Sequence, residues 1–355
     1  MRSLGLGARK AEAVSVAGTG HAAALLLTLV SAAASAAELA IESPKPDSLV
    51  STSKIAVRGT VNTGDDVVLQ VESAAAAAVE SAGGHWSVLD VDLQDGANVL
   101  KVTTESDVTR VLVTSATDIV ERGKQRVFLR WDPAADAELI KIAAGTLQPA
   151  PTTTKQASFV SAVKQKTATI IADNFSPFNV ELVGAPDEDT HVIKFMPTGG
   201  SDLFGHSMTD CLNQEAAGQS EVFVGTLRAA MVPLSAKWGP MQPTDKFAVR
   251  VADVAHALAR TASHELGHGL GLVSGSTPVL CQWMEGCDGD HNCLAFDTSN
   301  ELADRFANGR YIMDPGPRKQ PFARIAEKNA QSRGTRTPAT FGTFGSDYLM
   351  LVQPR

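Results

Sequence analysis

Residues 264–272 read His264-Glu265-Leu266-Gly267-His268-Gly269-Leu270-Gly271-Leu272. Two histidines four positions apart lie on one face of a helix, about one turn from each other. Imidazoles placed in this way can bind one Zn²⁺ at about 2.0–2.1 Å each. Glu265 is then positioned to take a proton from water that the metal acidifies. The motif predicts a zinc site with His264 and His268 as ligands and Glu265 as general base.

The sequence before the motif predicts that its helix is packed inside the protein. Apolar residues recur on one face of a helix predicted from about residue 245 or 246 to Leu270, namely Val251, Val254, Ala255, Leu258 and Ala262. His264 continues that face into the interior. Burying two imidazoles and a carboxylate without a partner would cost several kcal/mol, and a bound metal removes that cost. Gly271 can end the helix in a left-handed conformation, which gives the sharp turn that a downstream ligand requires.

Two features beyond the motif belong to a known pattern. Gly271 stands three residues after His268, and Tyr311-Ile312-Met313-Asp314 follows downstream. With the motif, these residues resemble the metzincin clan of zinc peptidases, in which a methionine turn lies beneath the metal. Stretches at 172–180 and 321–324 are also similar to secreted bacterial members. The resemblance implies an α+β zincin catalytic domain, predicted at 122–355, and a zinc-dependent endopeptidase.

The third zinc ligand is not fixed by the motif. In the clan it stands three residues after the glycine, but this position is Ser274, a poor zinc ligand. Some metzincins carry an insertion before the third histidine, and His291 between Cys287 and Cys293 is the candidate we choose. Three protein ligands are typical of a catalytic zinc. The alternatives are Asp288, Asp290 and Asp297.

A different third ligand follows from a second resemblance. Asn300-Glu301-Leu302-Ala303-Asp304 is similar to the glutamate helix of thermolysin-like gluzincins. There Glu301 would bind zinc and Asp304 would support it. Gly271 and Met313 have no role in such enzymes, so we prefer His291. Asp288 and Asp290 carry the oxygen ligands that Ca²⁺ favours, but their spacing fits no calcium loop.

The N-terminal part of the chain predicts an all-β module at 38–117. Apolar residues alternate with polar ones in short runs separated by Gly- and Asp-containing turns, as half-buried antiparallel strands do. The runs are centred on residues 55–61, 67–71, 89–93, 100–102 and 111–113. In the third run, Leu89, Val91 and Leu93 are expected to face the core. Ile41-Glu42-Ser43-Pro44 and the segment 95–102 resemble bacterial immunoglobulin-like modules, which implies an immunoglobulin-like β-sandwich that serves as spacer or binding module.

Helices and strands are mixed in the second part. Strands are predicted at 126–131, 179–183, 191–195 and 221–224, and helices at 158–172 and 321–331, besides the helix of the zinc motif. The predicted fold is therefore multidomain, an immunoglobulin-like β-sandwich followed by an α+β zincin domain. Tyr311 and Tyr348 are the only tyrosines, and both are candidates for steadying an oxyanion.

The N-terminus predicts export. Arg2, Arg9 and Lys10 precede an apolar run at 22–34, and small residues follow it. A basic start, a short apolar run and an Ala-x-Ala site are typical of a signal peptide, predicted at 1–36. An uncleaved anchor is the alternative, although the run is short for a membrane span. We expect a secreted or periplasmic, cell-envelope protein with no stable membrane span after signal removal.

Composition limits the partners. The chain has 355 residues with 31 basic and 39 acidic side chains, a net charge of −8, and 44% apolar residues. This is globular composition, and the acidic balance argues against nucleic acid as a partner. Its four cysteines, Cys211, Cys281, Cys287 and Cys293, are expected to form two disulfides of open connectivity in an oxidising compartment, with a cysteine-ligated zinc as the alternative.

Taken together, the sequence predicts a secreted zinc endopeptidase that acts on a protein or peptide substrate. Ser274 motivates one alternative, a non-catalytic envelope or adhesion protein whose zinc site is structural or lost. Another alternative is a hydrolase of non-protein amide bonds. The oligomeric state is not indicated by the sequence.

Overall fold

The structure is a computed structural model, and it describes residues 39–46, 48–71, 76–117, 119, 121–147, 149–198, 203–210, 213–234, 246–272, 312–313 and 341–355. These residues belong to one compact unit, residues 37–355. The predicted signal peptide, the four cysteines, His291 and the helix expected at 321–331 lie outside the described residues. No helix within the described ranges is both long and apolar enough to cross a membrane.

The first part of this unit consists of two sheets over a shared core, here called the N-terminal module (residues 39–117). Its strands are β1 (Ala40–Ser43), β2 (Ser48–Val50), β3 (Lys54–Thr60), β4 (Val67–Val71), β5 (Ala77–Val79), β6 (Ser81–Ala82), β7 (His85–Asp92), β8 (Gly96–Thr103) and β9 (Val108–Ser115). One sheet has the order β1-β3-β7-β6 and the other β2-β9-β8-β4-β5. Neighbours are antiparallel except β2 and β9, which are parallel. Val57, Trp86, Leu100 and Val113 from the two sheets are buried together.

One predicted core residue of the module faces solvent. Leu89 is 72% exposed, whereas Val91 and Leu93 are buried. Between the pairs Ile55↔Val91 and Val57↔Val88, β7 has two residues where β3 has one, which is a β-bulge. Asp90, one of these two, has a φ of 57°. The bulge shifts the alternation by one residue, so the expectation for Leu89 is wrong.

The second part is built around a five-stranded sheet. Its strands are β10 (Gln125–Trp131), β11 (Val180–Leu182), β12 (Thr190–Met196), β13 (Gly205–Ser207) and β14 (Gln219–Phe223), in the order β11-β10-β12-β14-β13. The first four strands in this order run parallel, and β13 pairs antiparallel with β14 at the edge. The strands predicted at 126–131, 179–183, 191–195 and 221–224 are confirmed.

Five helices accompany this sheet in the described residues: α1 (Pro133–Thr146), α2 (Thr153–Phe175), α3 (Val224–Leu234), α4 (Lys246–Gly269) and α5 (Gly342–Val352). The sequence predicted α2 and α4 but not α1, α3 or α5. Asp132 caps α1 by accepting a hydrogen bond from the Ala134 amide at 2.7 Å, and Pro133 begins the helix. Asp-Pro before an apolar run is a recognised helix start, so this signal was available in the sequence.

Helix α4 lies in the centre of the larger core. Val254, Ala255, Leu258 and Ala262 are fully buried, as their spacing predicted. The helix packs against α2, β14 and β13. The histidine motif at its C-terminal end is therefore held between the sheet edge and the core.

Candidate metal centre

The two histidines of the motif point their Nε2 atoms at each other. His264 Nε2 and His268 Nε2 are 3.1 Å apart. His264 Nδ1 lies 2.8 Å from the carbonyl oxygen of Ile312, and His268 Nδ1 lies 2.9 Å from that of Leu272. A carbonyl oxygen only accepts hydrogen bonds, so each Nδ1 carries the proton. In the neutral rings the two Nε2 lone pairs therefore converge.

This arrangement fits a metal ion. Two converging lone pairs repel unless a proton or a cation lies between them. Ligands bound to Zn²⁺ at 2.0–2.1 Å with tetrahedral angles have their donor atoms about 3.3 Å apart, close to the separation found here. Histidine ligands also commonly donate their second ring N–H to a backbone carbonyl, which fixes the tautomer. His264 and His268 could thus hold one zinc ion without rearrangement.

A glycine-ended turn keeps His268 in position. Gly271 has a φ of 92°, which favours glycine. The Gly271 amide donates to the His268 carbonyl at 2.9 Å, and the Leu272 amide donates to the Gly267 carbonyl at 2.8 Å. These two bonds form a Schellman motif. The same turn brings the Leu272 carbonyl back to His268 Nδ1. The turn at Gly271 that ends the helix therefore also orients the His268 ring.

Ile312 and Met313 lie against the motif. Ile312 supplies the carbonyl for His264 Nδ1, and Met313 is 1% exposed. A Cβ on Gly267 would collide with Met313 Sδ, so the methionine fills the space beside the helix between the two histidines.

Glu265 is directed at the sheet edge. Its side chain is 7% exposed. A Cβ on Gly205 would lie 2.5 Å from Glu265 Oε1 and 2.7 Å from its Cγ. The carboxylate therefore rests against the backbone of β13, and only glycine at position 205 leaves room for it.

Strand β13 ends the five-stranded sheet. Within the described residues it pairs with β14 on one side and with no strand on the other. Leu203 and Met208, which flank it, are 49% and 76% exposed. The Asp210 amide donates to the His268 carbonyl at 3.1 Å and fixes the segment after β13 to the motif. An edge strand with no neighbouring strand on its outer side among the described residues, and with apolar side chains beside it, is suited to bind an extended peptide.

A hydroxyl cluster connects the motif to the sheet. The Ser220 hydroxyl donates to the Glu265 carbonyl at 3.2 Å. Because its one proton is used there, it accepts from His191 Nε2 at 2.8 Å, and the Ser207 hydroxyl lies 2.9 Å from it. This assignment satisfies Ser220 and gives His191 a proton on Nε2. His191 is 2% exposed, and burial lowers its pKa to about 4, so the ring is neutral at neutral pH.

Glycines enclose the His191 ring. A Cβ on Gly218 or on Gly269 would collide with it. Gly205, Ser220 and His191 were not singled out as site residues by sequence reasoning. Their contacts with the motif depend on strand pairing between segments that are distant in sequence. The only local feature that could have indicated one of these contacts is the glycine at position 205, within a short strand.

Not all predicted site residues can be located. His291, Asp288, Asp290, Asp297 and Glu301 lie outside the described residues. Among the described residues, no group of three or more His, Cys, Asp or Glu side chains comes together to hold a metal. Tyr348 is 1% exposed and its hydroxyl donates to the Leu270 carbonyl at 2.9 Å. It is therefore a packed residue and not an oxyanion donor.

Comparisons with known proteins do not identify a family. No protein-family model matches the sequence, and no curated protein matches it. Among solved structures, the chain is similar to a carbohydrate acetylesterase from Xanthomonas citri at 11% sequence identity and a TM-score of 0.19, over 88% of this chain and 74% of that chain. A likeness at that TM-score supports no inference about fold or activity.

Proposed function

We propose that the protein is a zinc-dependent endopeptidase that hydrolyses peptide bonds in proteins or peptides. The observation that carries the proposal is the pair of Nε2 atoms 3.1 Å apart on rings whose Nδ1 atoms face carbonyl oxygens. A shared proton would also relieve the repulsion between the lone pairs. Zinc is preferred because the spacing, the tautomers and the adjacent carboxylate are all those of a catalytic zinc site.

In this proposal His264 and His268 hold the metal and His291 is the third protein ligand. Zinc, when bound, supplies the Lewis acidity that polarises a carbonyl and acidifies water. His291 lies outside the described residues, so its role rests on the sequence. We expect His291→Ala to lose zinc and the control His206→Ala to retain it. Three further proposals also rest on the sequence. They are membership of the metzincin clan, the immunoglobulin-like character of the module, and export through residues 1–36.

Glu265 is the proposed general base. Glu265 follows His264 directly in the helix, and its carboxylate lies against β13 at Gly205. It takes the proton from the attacking water and then delivers that proton to the leaving amine. Burial of Glu265 between the helix and the edge strand limits its motion, which favours proton transfer at a fixed position.

Strand β13 is the proposed binding surface for the substrate backbone. An extended peptide paired with its outer side would pass next to Glu265, because Gly205 brings the strand against that carboxylate. The exposed side chains of Leu203 and Met208 favour apolar residues in the substrate. Main-chain pairing supplies affinity that depends little on sequence, as expected for an endopeptidase.

The direct test compares Glu265→Gln with wild type for zinc content and for hydrolysis of casein. Zinc content should be unchanged, and the rate should fall at least about 100-fold, the lower range for loss of a general base. Glu221→Gln is the matched control. Glu221 lies on β14 next to Ser220, and because side chains alternate along a strand it points away from α4.

Equal hydrolysis by Glu265→Gln and wild type would reject the mechanism. If both proteins nevertheless bind zinc, the alternative of a non-catalytic protein with a structural zinc site would remain. Absence of zinc from wild type would reject the metal centre itself.

A further inference from the structure

Helix α5 is held from two sides by adjacent residues. Asp347 Oδ2 accepts a hydrogen bond from the Leu49 amide of β2 at 3.0 Å. The next residue, Tyr348, donates its hydroxyl to the Leu270 carbonyl at the end of α4 at 2.9 Å. Adjacent residues on a helix point about 100° apart. The helix thus contacts the N-terminal module with one face and the end of the motif helix with another.

The module is joined to the larger core by more than this bond. Residues 111–115 of β9 are all buried. Val111 and Val113 belong to the core of the module, whereas Leu112 belongs to the larger core, with Leu49 and Ala116. A strand buried on both faces has a packing partner on each side. The module is therefore packed against the second part and is not a flexibly tethered domain.

Tyr348 contacts the turn that orients His268. Its acceptor, Leu270, precedes Gly271 and Leu272, and the Leu272 carbonyl accepts from His268 Nδ1 at 2.9 Å. Helix α5 also packs on this turn elsewhere, since a Cβ on Gly345 would lie 3.6 Å from Leu272 Cδ2. A shift of α5 would move the turn, and a shift of the turn would move the ring.

We infer that Tyr348 is a positioning residue for the metal centre, and that the N-terminal module acts on this centre by fixing helix α5. The inference rests on the proposed function only in taking His268 as a metal ligand. Asp347 fixes α5 to β2, Tyr348 fixes the Leu270 carbonyl, and the turn holds the His268 ring at the angle for binding. A passive spacer would have no such connection.

The test measures zinc affinity of the full chain by competition with a chromophoric chelator. Tyr348→Phe removes one hydroxyl and keeps the buried ring. We expect zinc to bind about 10-fold more weakly, the low end of the loss found when a residue that supports a ligand is removed. The value of kcat should fall while KM stays within about twofold, because β13 is untouched.

Thr146→Val is the matched control for Tyr348→Phe. It also removes one buried hydroxyl that donates to a helix carbonyl, that of Ile142 at 2.7 Å. Thr146 lies at the end of α1, away from the motif. Thr146→Val should lose about as much stability as Tyr348→Phe, but its zinc affinity should equal that of wild type.

A second pair of variants tests the connection to the module. Asp347→Ala removes the acceptor for the Leu49 amide and should weaken zinc binding in the same direction as Tyr348→Phe. Asp347→Asn retains an oxygen acceptor and should restore most of the affinity. If both residues act through α5, the fold-loss of zinc affinity in the double variant Asp347→Ala with Tyr348→Phe should be smaller than the product of the fold-losses in the two single variants.

Wild-type zinc affinity in both Tyr348→Phe and Asp347→Ala would overturn the inference. The proposed function would then still stand, provided that His264→Ala loses zinc. Wild-type zinc affinity in His264→Ala would instead overturn the proposed metal centre. A loss in Tyr348→Phe that Thr146→Val reproduces would also overturn the inference, because it would reflect stability alone.

Discussion

Three imidazoles meet at the last turns of α4: the buried ring of His191, which lies against the helix, and the rings of His264 (partly buried) and His268 (buried), which belong to it. The two sets differ in their hydrogen bonds. His191 lies between Gly218 and Gly269, with its Nε2 on the Ser220 hydroxyl. His264 and His268 have both Nδ1 atoms on carbonyl oxygens and bring their Nε2 atoms together. In the first arrangement Nε2 has the Ser220 hydroxyl as its partner, whereas in the second two lone pairs are directed at one point. Burial alone does not separate a structural histidine from a candidate ligand, but the position of the ring protons does.

The largest expected difference between the two groups is in zinc binding. His264→Ala should weaken zinc binding by at least about 100-fold, since loss of a residue that merely supports a ligand already costs about 10–100-fold. His191→Gln should keep wild-type zinc content because its ring faces Ser220. Metal analysis of the purified, dialysed proteins measures both. Loss of zinc from His191→Gln at full folding would remove the distinction.

Acid should destabilise the protein through His191. Burial lowers its pKa to about 4, against about 6.5 in an unfolded chain. Between these values the unfolded chain binds the extra proton, so stability is full above about pH 6.5 and is lost as pH falls towards 4, by about 3 kcal/mol at most. Urea unfolding at a series of pH values, with metal-free protein, should show this loss.

The matched variant for this pH series is His191→Gln. Its unfolding free energy should fall less between pH 6.5 and 4 than that of wild type, because glutamine does not titrate. Parallel pH curves for the two proteins would show that His191 takes up no proton in this range.

A smaller difference is expected between two glycines of the motif helix. A Cβ on Gly269 would collide with the His191 ring, which Gly218 and Ser220 hold in place. Gly269→Ala should therefore cost about 1–3 kcal/mol of unfolding free energy, as overpacking does. A Cβ on Gly267 would meet the flexible Met313 side chain, and the better helix propensity of alanine offsets part of that clash.

Gly267→Ala should therefore be less destabilising than Gly269→Ala in urea unfolding. Gly123→Ala serves as the reference, since a Cβ there meets nothing within 4 Å. Equal losses at 267 and 269 would mean that His191 is no more rigidly held than Met313.

The sequence predicted the elements that carry long apolar periodicity. Helix α4 and strand β12 were expected within one or two residues of their observed bounds, because burial of one face leaves a clear pattern. Strand β13 has only three residues, too few for any periodicity. Leu89 was placed in the core because a bulge shifts a strand's alternation without marking the sequence.

The local sequence defines the geometry of the histidine motif, but it does not define the contacts that support the motif. His264, Glu265 and His268 lie within five consecutive residues, so one helical turn defines their geometry. Ser220 is 45 residues from its acceptor Glu265, and Tyr348 is 78 residues from Leu270. Contacts at such separations depend on strand order and helix packing, which local patterns do not encode.

The bond between Leu49 and Asp347 also has a consequence for biosynthesis. These residues are 298 positions apart. At a translation rate of about 5–20 residues per second, Asp347 is made about 15–60 s after Leu49. The module can pair its strands during that interval, but α5 can dock only at its end. On the proposed function and the inference about α5, the metal centre therefore reaches its final geometry only after α5 has been made, so the nascent chain has no fully formed peptidase site before that point.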